Sequence, residues 1–194
     1  MKTPRAVETA VLICLMIVMV ATRFHHVGDV LHLPDASMAL FFLGGLYLRR
    51  YALYVLMLGL AVAIDYVAIR QSGLDFFQHY CVTPAYCFLL LSYAVLWVAG
   101  RLCASRLRPR PRELALTWCV AVVAAALSFL VSNGAFYWWG GRYTDPHWAQ
   151  YLQRVAQWGP LFVRTTVSYI AVALLVHYAL ARWRGPRAVA LRQP

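Results

Sequence analysis

Acidic residues are scarce in this sequence, with seven Asp and Glu against eighteen Lys and Arg in 194 residues. Charge of either sign is scarce as well: 13% of the chain is charged and 62% hydrophobic, where a soluble domain has about 25% and about 45–50%. That balance excludes a separate soluble domain and points to one polytopic membrane domain over 1–194. The formal net charge of +11 would suggest nucleic acid in a soluble chain. Here the arginines cluster between apolar runs and no zinc-finger, RNA-binding or helix-turn-helix pattern is present, so lipid, not nucleic acid, is the expected surrounding. No P-loop is present, which excludes ATP hydrolysis by this chain. There is no H-E-x-x-H, no G-x-S-x-G and no evident pair of carboxylates for acid–base work. The five cysteines, Cys14, Cys81, Cys87, Cys103 and Cys119, form no C-x-x-C pair, so neither a disulfide framework nor a structural zinc site is expected. His25 and His26 are adjacent and would point apart on a helix. A binder or carrier is expected, not an enzyme.

What the chain does have is apolar length. Six spans are expected, at about 6–22, 30–48, 51–69, 81–100, 113–133 and 160–181, since a helix needs about 20 residues to cross a bilayer. The start, MKTPR before an apolar run, resembles a signal peptide, but without a convincing small-residue cleavage site it is expected to be the first anchor. Lys2 and Arg5, Arg49 and Arg50, the group Arg101, Arg106, Arg108, Arg110 and Arg112, and the group Arg182, Arg184, Arg187 and Arg192 all fall on one side of six spans. Arg23, Arg70, Arg142 and Arg154 fall on the other. The positive-inside rule then places both termini in the cytoplasm. The expected fold class is an all-α protein of six transmembrane helices.

The unusual residues gather on the expected outer side. The loop RFHHVGDVLHLPD (23–35) carries His26, Asp29 and Asp35, and Pro34 shortens the entry to span 2. Asp65 lies near the outer end of span 3, where a carboxylate is costly without a partner; Arg70 or Arg164 is expected to neutralise it. Span 4 opens as CVTPAYC, with Cys81 at the membrane boundary and Thr83 pushed out of the helical region by Pro84. A thiolate there is a soft donor suited to a transition metal, although an apolar setting more often makes a cysteine a small hydrophobe. Tyr86 would share a pocket with Cys81 if the first turn is loop-like. Span 5 ends in SNGAFYWWGGRY, where Asn133 needs hydrogen-bond partners, Gly134 suggests a helix end, and Tyr137 and Trp138 read as an interfacial belt or a pocket wall. Asp145 and Pro146 have the types of an N-cap and first helical residue. Trp148, Tyr151, Leu152 and Val155 then repeat at helical spacing with Gln150, Gln153, Arg154 and Gln157 opposite. A short amphipathic helix is expected in this last outer loop, as a surface anchor or a lid.

A basic six-span chain of this size without its own ATPase resembles the substrate-binding S components of energy-coupling-factor vitamin transporters. The stretches HYCVTPAY (79–86), SNGAFYWW (132–139) and FHHVGD (24–29) are similar to the BtuM family of cobalamin transporters, a resemblance that runs over nearly the whole chain. It implies a multi-pass protein of the bacterial inner membrane that takes up vitamin B12 or a related corrinoid from the periplasmic side. It also implies that Cys81 coordinates the cobalt of the transported molecule, with Asp29, Tyr86 and Arg154 at the site. A corrinoid is broad, flat and fringed with amides, chemistry that Asn133, Arg154, Tyr137, Trp138, His26 and Asp65 would also suit. A sulfur ligand would in addition help expel an upper ligand such as cyanide. Ala6 and Ala10 have the spacing with which S components meet their membrane partner, at the very start of span 1. The chain is thus compatible with an ATPase module of that type and with working alone. The competing readings are an S component for another vitamin, a small membrane haem or quinone redox protein using the His-rich loop, and an assembly partner without a ligand.

Overall fold

The computed structural model describes residues 5–23, 33–48, 50–79 and 82–190. Its helices are α1 (Arg5–Arg23), α2 (Ser37–Tyr47), α3 (Tyr51–Gln71), α4 (Cys87–Ala104), α5 (Pro111–Trp139) and α6 (Trp148–Ala190). Two single turns of 3-10 helix, Phe76–Gln78 and Pro84–Tyr86, lie between α3 and α4. Among the described residues there is no strand. Among the described residues five segments are long and apolar enough to cross a membrane, and α2 is a shorter apolar helix. Side chains such as Ile13, Ile17, Val55, Leu102, Val123, Val172 and Leu175 face outward and exposed. Such a surface is stable against lipid and not against water. The chain is a polytopic all-α membrane protein.

Local rules explain most helix ends. Pro111 sits in the first turn of α5, where its missing N–H is no loss. Asp75 caps the turn Phe76–Gln78, accepting from the N–H groups of Phe77 and Gln78. Thr83 is extended (φ −110°, ψ 173°), as the residue before a proline should be, and α4 begins only at Cys87, behind the Pro84–Tyr86 turn. The expected helix start at Cys81 is therefore displaced, and Cys81 itself lies outside the described residues.

The shortest helix is the hub. α2 has 11 residues, about 16 Å of helix, roughly half a hydrocarbon core. Every residue from Ser37 to Leu46 except Met38 is buried. α2 packs chiefly on α4, α4 on α5, and α5 on α6, while α1 and α3 close the other flank of α2. The non-helical ends of α2 are tolerable at membrane depth because side chains satisfy their backbone groups. Thr22 Oγ1 accepts from the Ala36 N–H at 3.2 Å, and Asp35 Oδ1 from the Ser37 N–H at 2.9 Å. The Tyr169 hydroxyl donates to the Pro34 carbonyl at 2.8 Å, and Arg101 Nη1 to the Leu48 carbonyl at 3.1 Å. An aromatic stack, Phe41 on Tyr93 at 4.2 Å, fills the space between α2 and α4. Ser92 and Ser128, both fully buried, exchange side chain-to-backbone hydrogen bonds of 2.7 and 3.0 Å between α4 and α5.

Two expectations fail at glycine and proline. α5 does not end near Gly134 but runs to Trp139, and the glycine leaves room beside it for the Tyr151 hydroxyl of α6. The outer segment is not a separate amphipathic helix: α6 runs unbroken from Trp148 to Ala190, through Gly159 and Pro160. In lipid a helix is the cheapest way to satisfy the backbone, and that outweighs local breaker signals. The inward and outward sides of this segment each mix apolar and polar side chains. Trp148 and Leu152 are 66% and 61% exposed, whereas Gln150 and Arg154 turn inward beside buried Tyr151. Gln153 and Gln157 are exposed, so only part of the polar set faces protein.

Candidate functional site

The bundle has two ends. Arg101, which cations over the Tyr51 ring, the Leu48 carbonyl and the Tyr47–His177 ring contact mark one of them. Arg23, the 3-10 turns and the start of α6 mark the other. Polar side chains gather inside the second end in two groups.

The first group is built around Arg23, at the last residue of α1. Its Nε and Nη2 donate to the two oxygens of Asp65 at 2.7 and 2.6 Å, a paired geometry that only a guanidinium offers. Its Nη1 donates to Ser37 Oγ at 2.9 Å and the Tyr93 hydroxyl at 2.8 Å, and lies 3.4 Å from Asp35 Oδ2. The Tyr86 hydroxyl donates to Asp65 Oδ2 at 2.7 Å. One carboxylate thus ties α1, α3 and the Pro84–Tyr86 turn together, and the arginine adds α2 and α4. The side chains of Arg23 and Asp65 are 10% and 21% exposed, so the ion pair is mostly shielded from water. Asp65 was expected to find Arg70 or Arg164. Instead Arg70 makes an exposed pair with Asp75 at 3.7 Å, and Arg164 faces outward. Nothing in the sequence singles out Arg23, whose partner is 42 residues away.

The second group lines a cavity of about 300 Å³ between α4, α5 and α6. Its walls are Leu89, Phe129, Phe136 and Phe162, and its polar lining includes Asn133, Arg142, Tyr143 and Arg154. Asn133 and Arg154, both expected at the site, meet here. The Asn133 Oδ1 and Arg154 Nε atoms are buried and have no hydrogen-bond partner. The guanidinium of Arg154 lies 5.2 Å from the centre of the Tyr143 ring. Thr83 Oγ1, next to the Pro84–Tyr86 turn, is a further buried oxygen without a partner.

Tyr137 and Trp138 do not line the cavity. Tyr137 is 1% exposed, and its hydroxyl accepts the His147 N–H at 2.8 Å and lies 2.7 Å from Gln150 Oε1. It fastens the end of α5 to the start of α6. Trp138 packs on Trp148 and Tyr151, part of an aromatic cluster at that end. Trp139, 61% exposed and stacked on Phe88, has the position of an interfacial belt residue. His26, Asp29 and Cys81 lie outside the described residues. Among the described residues no three His, Cys, Asp or Glu side chains converge where they would hold a metal ion. Comparison with known proteins finds no matching family model and no matching curated sequence.

Proposed function

We propose that this chain carries vitamin B12 or a related corrinoid across a bacterial inner membrane, entering from the Arg23 end, with both termini in the cytoplasm. The observation that supports this reading best is the gathering of Asp65, Tyr86, Asn133 and Arg154 inside one end of an otherwise apolar bundle. Buried polar groups in lipid are expensive, and two of these atoms are left without a partner. Such groups suit a ligand that arrives with its own donors and acceptors. The cavity, at about 300 Å³, is at the lower limit of drug-sized pockets. A corrinoid is larger than a drug-sized ligand, so in this reading the cavity seats one edge and the rest lies towards Arg23 and the Pro84–Tyr86 turn. Cys81, three residues before Pro84, would hold the cobalt of the transported molecule through sulfur, and His26 and Asp29 would join it in the site. Asp65 and Tyr86 hold the turn beside Cys81 in place. An energising ATPase module is a partner this reading accommodates and does not require.

The test is the absorption spectrum of purified full-length protein after incubation with cobalamin, wild type beside Cys81→Ala. The expected result is retained corrinoid in both, or in wild type alone, with a sulfur-shifted cobalt band only in wild type. Equal spectra with equal retention would reduce Cys81 to packing. No retention by either protein would overturn the corrinoid reading and direct the search to other vitamins.

A further inference from the structure

We propose that the cavity between α4, α5 and α6 is a subsite for a primary carboxamide. The argument starts from the two orphaned atoms. Asn133 Oδ1 is an acceptor that needs a donor, and Arg154 Nε is a donor that needs an acceptor. Both residues line the same cavity. An unpaired buried polar atom carries a desolvation cost that a suitable ligand removes. A carboxamide brings both complements in one planar group: its N–H serves Asn133 and its carbonyl serves Arg154. A carboxylate would serve Arg154 and be drawn by Arg142, but would set oxygen lone pairs against Asn133 Oδ1. A hydroxyl can also donate to Asn133 Oδ1 and accept from Arg154 Nε, but through one oxygen, so it serves both only where the two atoms lie within reach of a single point, a limit that the two-atom carboxamide does not have. The remaining lining accounts for itself. Ser132 Oγ already donates to the Ser128 and Phe129 carbonyls at 3.1 and 3.2 Å, and Phe129, Phe136 and Phe162 give an aromatic, amide-tolerant wall.

As a statement about transport the proposal rests on the corrinoid reading, since a corrinoid edge is a row of such amides. As a statement about the cavity it does not, and the two are tested apart. Benzamide is small enough for the cavity, and it is the neutral isostere of benzoate with a carboxamide in place of the carboxylate. Saturation-transfer NMR on the purified full-length protein would compare benzamide with benzoate on wild type, Asn133→Leu and Asn133→Asp. Gel filtration checks that each variant folds. Benzamide is expected to bind wild type with a dissociation constant on the order of millimolar, at least fivefold tighter than benzoate. Asn133→Leu is expected to weaken benzamide at least fivefold, while Asn133→Asp keeps benzamide and weakens benzoate further. Benzoate binding as tightly as benzamide would overturn the carboxamide assignment and make the cavity an anion site. Equal benzamide signals in wild type and Asn133→Leu would also overturn it, as partition into the micelle. In a second arm, cobalamin is compared with its derivatives in which one side amide is hydrolysed to the acid. One of these is expected to bind wild type at least tenfold more weakly, and the difference to vanish in Asn133→Leu. Tight cobalamin binding without benzamide binding overturns the subsite alone. Benzamide binding without cobalamin binding overturns the corrinoid reading alone.

Discussion

Arg23→Ala is expected to lower the apparent melting temperature of the detergent-solubilised protein by roughly 5–10 °C, a loss of about 3 kcal/mol. The size follows from what the substitution leaves behind. Asp65 keeps its charge with one remaining donor, the Tyr86 hydroxyl, and the Ser37 and Tyr93 hydroxyls lose the nitrogen that bonds them. Breaking one side of a fully buried pair costs about 3–5 kcal/mol. Asp65 retains 21% exposure, so the lower part of that range applies. Arg23→Lys should recover little of the loss, because an ammonium cannot hold both Asp65 oxygens and two hydroxyls from one plane. A double-mutant cycle of Arg23→Ala and Asp65→Ala separates the pair from its surroundings. The double variant should be more stable than the sum of the single losses predicts, by more than 1 kcal/mol on the order expected for a shielded pair. Additive losses would mean that the two side chains are not partners. Under the corrinoid reading the same variants should also weaken ligand binding, because Asp65 anchors the turn that leads back to Cys81.

That ion pair also marks where sequence reasoning stops. A carboxylate inside a span must have a partner, and that much could be read from Asp65 alone. Which cation it takes could not, because three arginines were within plausible reach and only the packing of α1 against α3 selects Arg23. The spans themselves were legible because apolar length is a one-dimensional signal: α1, α3 and α5 begin within about two residues of the expected positions, well inside the usual ±2–4 residue uncertainty. Helix ends inside the membrane were not. Gly134, Gly159 and Pro160 have the types of breakers in water, but in lipid the unpaired backbone costs more than the local preference against helix. The amphipathic pattern of residues 148–158 predicts a surface anchor or a lid and does not say which side chains turn inward: Gln150, Tyr151 and Arg154 do, while Trp148, Leu152, Gln153 and Gln157 are exposed. Asn133 and Arg154 share a cavity because Arg154 lies on the same inward side of α6 as Tyr151, three residues earlier. Tyr137 reads as a belt residue or a pocket wall, and its fastening role is not legible because its hydroxyl partners, His147 and Gln150, come from around the start of the next helix.

Gly45→Ala and Gly100→Ala should each prevent assembly of a monodisperse protein, although alanine is the better helix former. At Gly45 a Cβ would overlap the backbone carbonyl of Trp97, and at Gly100 one would overlap the backbone carbonyl of Phe42. These are reciprocal contacts between α2 and α4, backbone against backbone, the packing that small residues permit between membrane helices. A clash with a flexible side chain can relax at about 1–3 kcal/mol. A clash with a carbonyl at the centre of two packed helices moves the helix, and here it would part Phe41 and the rest of α2 from Tyr93 and Trp97 of α4 together, so the loss should exceed that range. Gly59 supplies the control. It lies inside α3 with nothing within 4 Å of where its Cβ would stand, so Gly59→Ala should be neutral or gain up to about 1 kcal/mol from helix propensity. Expression, gel filtration and apparent melting temperature of the three variants give the answer. If Gly45→Ala behaved like Gly59→Ala, α2 and α4 would not touch through their backbones, and a helix too short to span alone would need some other reason to sit at the centre. The central position itself follows from length: an 11-residue helix cannot present both ends to water, so its neighbours must bury it and satisfy its ends, and close backbone contact with α4 is how they hold it.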